Sequence, residues 1–421
     1  MMWSTPPRES RPEGENVRVL YISTLYPPCI GGAQIQLHCL AKAMQEAGHA
    51  VHAVTLSGRK RQDWLRLSTV LPEPEEHYAF EGVEVTQLGF PLLDRVRMAP
   101  WALTYYGLMA PSVRRLSAIT EERLEKAVRD EPSLVHVTRI GREFIAQAGL
   151  SYARKRGIPY VLTPNHHPRW KGYLYREYDR LYREADAVVV YTEVEKETLV
   201  NEKGVPAERV HVTGVGPVLS DTFDAEAFRR CHDLEGRFVL FLGQQYKYKG
   251  IEAIVKAAPL VWEKHADVQF VFIGPHTDDT AGVFEGVRDK RIVNLGIVDM
   301  EAKTSALAAC TLLCLPSTQE SFGGVYAEAW CHRKPVIGGR IPPIQAVVDN
   351  GRDGILTSQD PRELAGAMDR LLSDPEACRA MGEAGWRKVQ ERFTWQLLAS
   401  KTLAVYEELC ACTVDTRQEQ L

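Results

Sequence analysis

The chain is 421 residues long, 45% hydrophobic and 25% charged, with a formal net charge of −4. That length suits two globular domains of ordinary size, and the weak acidic balance excludes non-specific nucleic-acid binding as the main task, because no broad surplus of phosphate-neutralising cations exists. Nine cysteines without a CxxC pair fit reduced thiols in a cytoplasmic protein rather than a disulfide framework or a zinc site.

Residues 1–16 are polar and rich in Pro and Glu, without the apolar centre of a secretory signal. No run approaches the ~20 apolar residues of a membrane-crossing helix. Val17 to Ser23 (VRVLYIS) reads as a first parallel strand. Its loop carries Gly31-Gly32, a helix is expected from Ala33 to Glu46 with Gly48 beyond its end, and Val51 to Leu56 is the next strand. The glycine pair lies at the strand-to-helix turn where open α/β sheets bind ligands, so an anion or substrate contact is weighed against a merely tight turn. No GxGxxG dinucleotide fingerprint is present.

Arg59 to Arg66 is mostly positive, and Leu92 to Leu116 alternates apolar stretches with Arg95, Arg97, Arg114 and Arg115. Met98 to Ala110 (MAPWALTYYGLMA) has two open readings: a core helix with solvated ends, or an interfacial element touching a membrane or a lipid-linked acceptor. Strands are expected at Leu134–Val137, Ile158–Thr163 and Ala187–Tyr191, with Val210–Gly216 closing the first half. His136 lies in the first of these, and His166 and His167 just follow the second, near a strand's carboxyl end where a crevice belongs. For His136 the competing reading is a buried structural histidine. For the pair it is a solvated loop.

Pro217 to Gly236 reads as a linker with a helical patch at Asp224–His232. The alternation then resumes, with strands at Phe238–Leu242, Val268–Ile273, Ile292–Leu295, Thr311–Leu315, Pro335–Ile337 and Gly354–Thr357. Strand–helix alternation at this spacing predicts two doubly wound parallel-sheet domains, 17–216 and 237–393. The final helix, 394–410, is free to pack away from its own domain onto the first. Residues 411–421 are expected to be disordered.

Leu312 to Lys334 (LLCLPSTQESFGGVYAEAWCHRK) carries the clearest chemistry. A buried strand stops at Pro316, a polar loop follows, and Ser321-Phe322-Gly323-Gly324-Val325 opens a helix. Free backbone N–H groups at a positive helix end suit a phosphate. Glu320 and Glu328 bracket that turn. Carboxylates there would repel phosphate, so they fit hydroxyls of a sugar or ribose better.

On these residues the chain resembles retaining glycosyltransferases of family 4, the group 1 glycosyltransferases with the GT-B fold of two Rossmann-like domains facing across a cleft. Glu320 and Glu328 match the family's E-x7-E pattern in the setting PSTQESFGGVYAEAW…KPVI. Gly31-Gly32 matches its N-terminal glycine motif and Lys249-Gly250 its lysine motif. The resemblance implies that Glu328 binds ribose hydroxyls, Glu320 lies by the donor sugar, Lys249 meets the diphosphate, and backbone after Phe322 also contacts phosphate. Gln244 stands where an arginine is usual, and Thr138 where many members have a second histidine. Ile341-Pro342-Pro343 replaces a commoner glycine-rich turn.

The implied reaction moves a sugar from a nucleotide-diphosphate donor to an acceptor hydroxyl with retention. It needs no metal and no cofactor beyond the donor. Glu320, Lys249, His136 and His166 are the expected catalytic set. Gly31, Gly32, Gln244, Lys249, Ser321 to Val325 and Glu328 are the expected donor-binding set. The acceptor would be a sugar, a lipid-linked sugar or a small molecule, and the expected location is the cytoplasm, with the inner membrane face as the place of any surface contact. A nucleotide-sugar epimerase of the same fold and a non-catalytic nucleotide-sugar-binding subunit are the rival readings.

Overall fold

The computed structural model describes residues 16–28, 31–57, 74–138, 143–166, 172, 175–277 and 280–418. The basic run at 59–66 and His167 lie outside them.

Within these residues, β1 (Arg18–Leu25), β2 (Ala50–Ser57), β3 (Glu76–Phe80), β4 (Val83–Gln87), β5 (Leu134–Thr138), β6 (Tyr160–Thr163), β7 (Ala187–Val190) and β8 (Val210–Val212) form one sheet. Its order is β3-β4-β2-β1-β5-β6-β7-β8, parallel except for the β3–β4 hairpin. A second sheet holds β9 (Phe238–Leu242), β10 (Gln269–Ile273), β11 (Ile292–Gly296), β12 (Leu312–Leu315), β13 (Val336–Gly339) and β14 (Gly354–Thr357), all parallel in the order β11-β10-β9-β12-β13-β14. Strands such as β5, β9 and β12 are buried at every residue, which is why they read as unbroken apolar runs rather than alternating ones. The order of strand addition reverses at β1/β5 in one sheet and at β9/β12 in the other. Ligand crevices form at such switch points, outside the carboxyl ends of the strands.

The β3–β4 hairpin was not expected from the sequence. Its outer strand alternates half-buried and exposed residues, so it lacks the apolar run that marks the inner strands. Met98–Ala110 is also not one core helix. A helix at Leu92–Leu103 ends in turns, and a second begins at Met109. Met98, Tyr105 and Met109 are buried, whereas Leu92, Leu93, Val96, Leu103, Tyr106 and Leu108 are exposed.

The C-terminal helix, Trp395–Gln418, continues past the expected end at 410 into the segment expected to be disordered. Its apolar side places Ala399, Leu403, Val405 and Tyr406 in the core on the β1 face of the first domain, with Val19, Tyr21 and Leu37. The Tyr406 hydroxyl meets that of Tyr21 at 3.2 Å. Burying this stripe takes the helix's apolar face out of water. Trp395 Nε1 donates to Pro217 O at 2.8 Å, so the two crossings between domains are pinned together. The linker is likewise strapped down: Ser220 N donates to Thr304 Oγ1 and Asp224 N to Ser305 Oγ, each at 2.9 Å, both acceptors on the Met300–Ala309 helix.

Candidate active site

The loop after β12 and the helix Gly324–Cys331 build one wall. Gly323 caps that helix at φ +81°, the left-handed region, and a β-carbon there would stand 2.3 Å from the Tyr326 ring. Only glycine serves this turn. Tyr326, fully buried, donates its hydroxyl to Leu315 O at 2.7 Å and so ties the helix start to the strand end. Phe322 is buried edge-on against Phe393 at 5.2 Å. These contacts fix the first helical turn, and free N–H groups at such a helix start can receive an anion.

Glu328 is 5% exposed. Its Oε1 faces Lys303 Nζ at 2.8 Å and accepts from Val218 N at 3.3 Å. Lys303 Nζ also donates to Val218 O at 2.8 Å. Glu328 Oε2 is buried and has no hydrogen-bond partner among the described residues. A carboxylate so held keeps one acceptor oxygen in reserve, a state worth about 1–3 kcal/mol to any donor that reaches it. Lys303 carries no motif. It is a polar residue on a helix face, and the sequence offered no signal for it.

Lys249 ends a 3₁₀ turn after β9, followed by Gly250 at φ +84°. Its ammonium pairs with Glu320 Oε1, which also accepts from Ser317 Oγ at 3.3 Å. Gln359 Nε2 bridges Tyr248 O and Pro316 O at 2.8 and 2.9 Å, locking the lysine loop against the carboxylate loop. Gln244 is exposed on the same loop, near the end of β9. The site therefore pairs each of two lysines with a carboxylate, and Gln244 adds no charge to either.

The first domain reaches this wall at three points. Ser321 Oγ donates to His166 O at 3.0 Å. Gln36, in the helix opened by Gly32, is held by a bond from Nε2 to Gly216 O at 2.8 Å and lies 3.9 Å from where a β-carbon on Gly324 would stand. Val215 lies against Gly324, 3.3 Å from where a β-carbon would stand. Gly31 is extended, with the Gln34 carboxamide folded against it. Thus Gly31, Gly32, His166, Lys249, Glu320 to Val325 and Glu328 converge on the mouth between the two switch points.

Two expected catalytic histidines are placed differently. His166 is buried. It presents its carbonyl to Ser321 while its ring stands edge-on to Tyr182 and its N–H donates to Glu195 Oε1 at 2.9 Å. His136 is 1% exposed, with Nδ1 on the Tyr406 hydroxyl and Nε2 on Thr163 Oγ1 at 2.8 Å. Burial pushes its pKa down to about 3, so it is neutral in the fold. Its side chain serves the contact with the C-terminal helix, because successive side chains of β5 take opposite faces of the sheet and His136 shares with Leu134 the face that this helix covers.

Two Rossmann-like domains with their switch points opposed across a cleft make this a GT-B fold. Its architecture matches HepE of Anabaena, solved in complex with UDP and glucose, at a TM-score of 0.68 and 16% identity over 93% of this chain and 99% of that one. The chain belongs to the group 1 glycosyltransferases: residues 236–374 match the model described as "Glycosyl transferases group 1" and 31–216 that described as "Glycosyl transferase 4-like domain". A D-inositol 3-phosphate glycosyltransferase of Xylanimonas cellulosilytica is 30% identical over 294 residues, 62% of this chain and 69% of that protein. An MMP alpha-(1->4)-mannosyltransferase of Mycolicibacterium hassiacum is 27% identical over 299 residues, 62% and 68% respectively. Among the described residues, no helix is long and apolar enough to cross a membrane.

Proposed function

We propose that this glycosyltransferase moves a sugar from a nucleotide-diphosphate sugar to an acceptor hydroxyl with retention, without a metal and without a cofactor other than the donor. The reading rests above all on the half-used Glu328 carboxylate beside the Gly323-Gly324 helix start. Ribose hydroxyls donate to Oε2, and the diphosphate lies on the helix N-terminus. Lys249 leaves Glu320 for the diphosphate, and Glu320 turns to hydroxyls of the donor sugar. The bond from the anomeric carbon to the phosphate oxygen breaks as the acceptor oxygen bonds to the same face. The acceptor proton passes to the leaving diphosphate, whose charge the lysine and the N–H groups stabilise. Donor binding between the domains also excludes water.

The test is a screen of donor hydrolysis and transfer across nucleotide sugars, with chelator present and the product anomer read by NMR. Turnover with the donor's anomeric configuration kept is expected. An inverted product, loss of turnover on chelation, or donor interconversion without acceptor would overturn the reading.

A further inference from the structure

The amino ends of the second sheet enclose a cavity of about 310 Å³. Arg237, Thr311 and Pro335 line it, and each immediately precedes a strand, β9, β12 and β13 respectively. Lys249 and Glu320 follow β9 and β12 at their other ends. Strands of four or five residues therefore separate the two places, roughly 15 Å at about 3.3 Å per residue.

Five cations line the cavity, Arg229, Arg237, Arg333, Lys334 and Arg379, and among the described residues no acid does. Two of them are neutralised from outside. Arg237 forks onto Asp267 at 2.8 and 2.9 Å, and Arg333 Nε donates to Glu383 Oε2 at 2.8 Å. The other three are not. Arg229 is half-buried and donates to the carbonyls of Leu234, Gly236 and Ala309, which supply dipoles but no charge. Lys334, half-buried on the turn into β13, and the exposed Arg379 have no ion pair among the described residues. Asp374, at the start of the helix Pro375–Arg392 that carries Arg379, is spent on the N–H groups of Glu376 and Ala377.

The thiols in the wall do not balance these charges either. Burial raises the pKa of both, to about 12 for Cys310, so Cys310 and Cys378 are neutral at pH 7. Lys334 acts on both thiols, Arg229 on Cys310 and Arg379 on Cys378, which sets the three uncancelled cations around the same spot. Cations gathered without a counter-charge repel one another, and a bound anion relieves that cost. Apolar walls from Leu371, Leu372 and Pro335 strengthen the field inside. Guanidinium and ammonium donors together suit phosphate oxygens, and the volume admits a small molecule.

We propose that this cavity binds a small phosphorylated molecule through Lys334, Arg379 and Arg229, at a site separate from the donor crevice. The inference does not rest on the catalytic reading, so the two fail separately.

The test is calorimetric titration of the full chain with inorganic pyrophosphate at constant ionic strength. The donor crevice takes a diphosphate on the reading above, so the titration is made in the Lys249→Ala variant as well as in the native chain. Binding that survives Lys249→Ala is expected. Adding Lys334→Gln/Arg379→Gln should weaken it about a hundredfold, because two charge-assisted partners are lost. The same change should remove the rise in melting temperature that pyrophosphate gives the Lys249→Ala chain. In chloride alone it should not lower the melting temperature, since neither cation is bonded to the fold. No pyrophosphate binding by Lys249→Ala, equal binding with and without the two cations, or a lower melting temperature in chloride would overturn it.

Discussion

Lys303 Nζ stands 2.8 Å from Glu328 Oε1 and 2.8 Å from Val218 O, so one side chain joins that buried carboxylate to the crossing between domains. Removing it leaves Glu328 buried beside only a backbone N–H. Lys303→Met should raise the donor KM about tenfold, roughly 1.4 kcal/mol, with kcat little changed. Lys303→Arg should recover part of the loss. Steady-state kinetics with varied donor checks this, and an unchanged KM in the methionine variant would refute the positioning role.

Lys249 pairs with Glu320, and on the proposed mechanism the donor takes each from the other. Lys249→Ala should cut kcat by about 10²- to 10³-fold, the usual loss when one group stabilising a developing anion is removed. Glu320→Gln frees the lysine, so it should tighten binding of the nucleoside diphosphate product while still lowering kcat. Calorimetry separates the two effects. Tighter product binding in the alanine variant would contradict the assigned partners.

Gly323 is held in the left-handed region with the Tyr326 ring against it, whereas Gly351 has a similar φ of +82° and open space around it. Both alanine variants carry a backbone cost of about 1–2 kcal/mol. Only Gly323→Ala must also displace Tyr326 and tilt the N–H cradle. Melting temperatures should fall in both, and donor affinity in Gly323→Ala alone.

His136 makes the fold acid-sensitive. Its folded pKa, depressed to about 3 by burial, lies below the unfolded value near 6.5, so the unfolded chain binds the proton first. Its stabilising contribution is complete above about pH 6.5 and is lost as pH falls toward 3, by about 1.4 kcal/mol per unit. His332, lowered to about 4 mainly by burial, adds in the same direction. His136→Gln should be less stable at pH 7.5 but show a shallower decline down to pH 5 in urea titrations.

How much was legible in the sequence follows from these residues. The inner strands, their grouping into two mainly parallel sheets and the turn at Gly323-Gly324 were readable, because full burial writes unbroken apolar runs and a left-handed helix cap admits little but glycine. Glu320 and Glu328 stood out by bracketing that turn, and Lys249 through the resemblance of Lys249-Gly250 to the family's lysine motif. The exposed edge strand β3 and the break between Leu103 and Met109 were not readable, since a half-buried strand and an apolar turn leave no distinct pattern.

Local sequence thus determined which elements form and which loops carry chemistry, because those depend on neighbours along the chain. Tertiary structure alone decided that Lys303 reaches Glu328, that Lys249 and Glu320 neutralise each other, and that Tyr406 takes His136 into the core. Each of those contacts joins residues far apart in the chain, and whether two side chains meet is set by how the sheets and helices pack, which no spacing along one strand records.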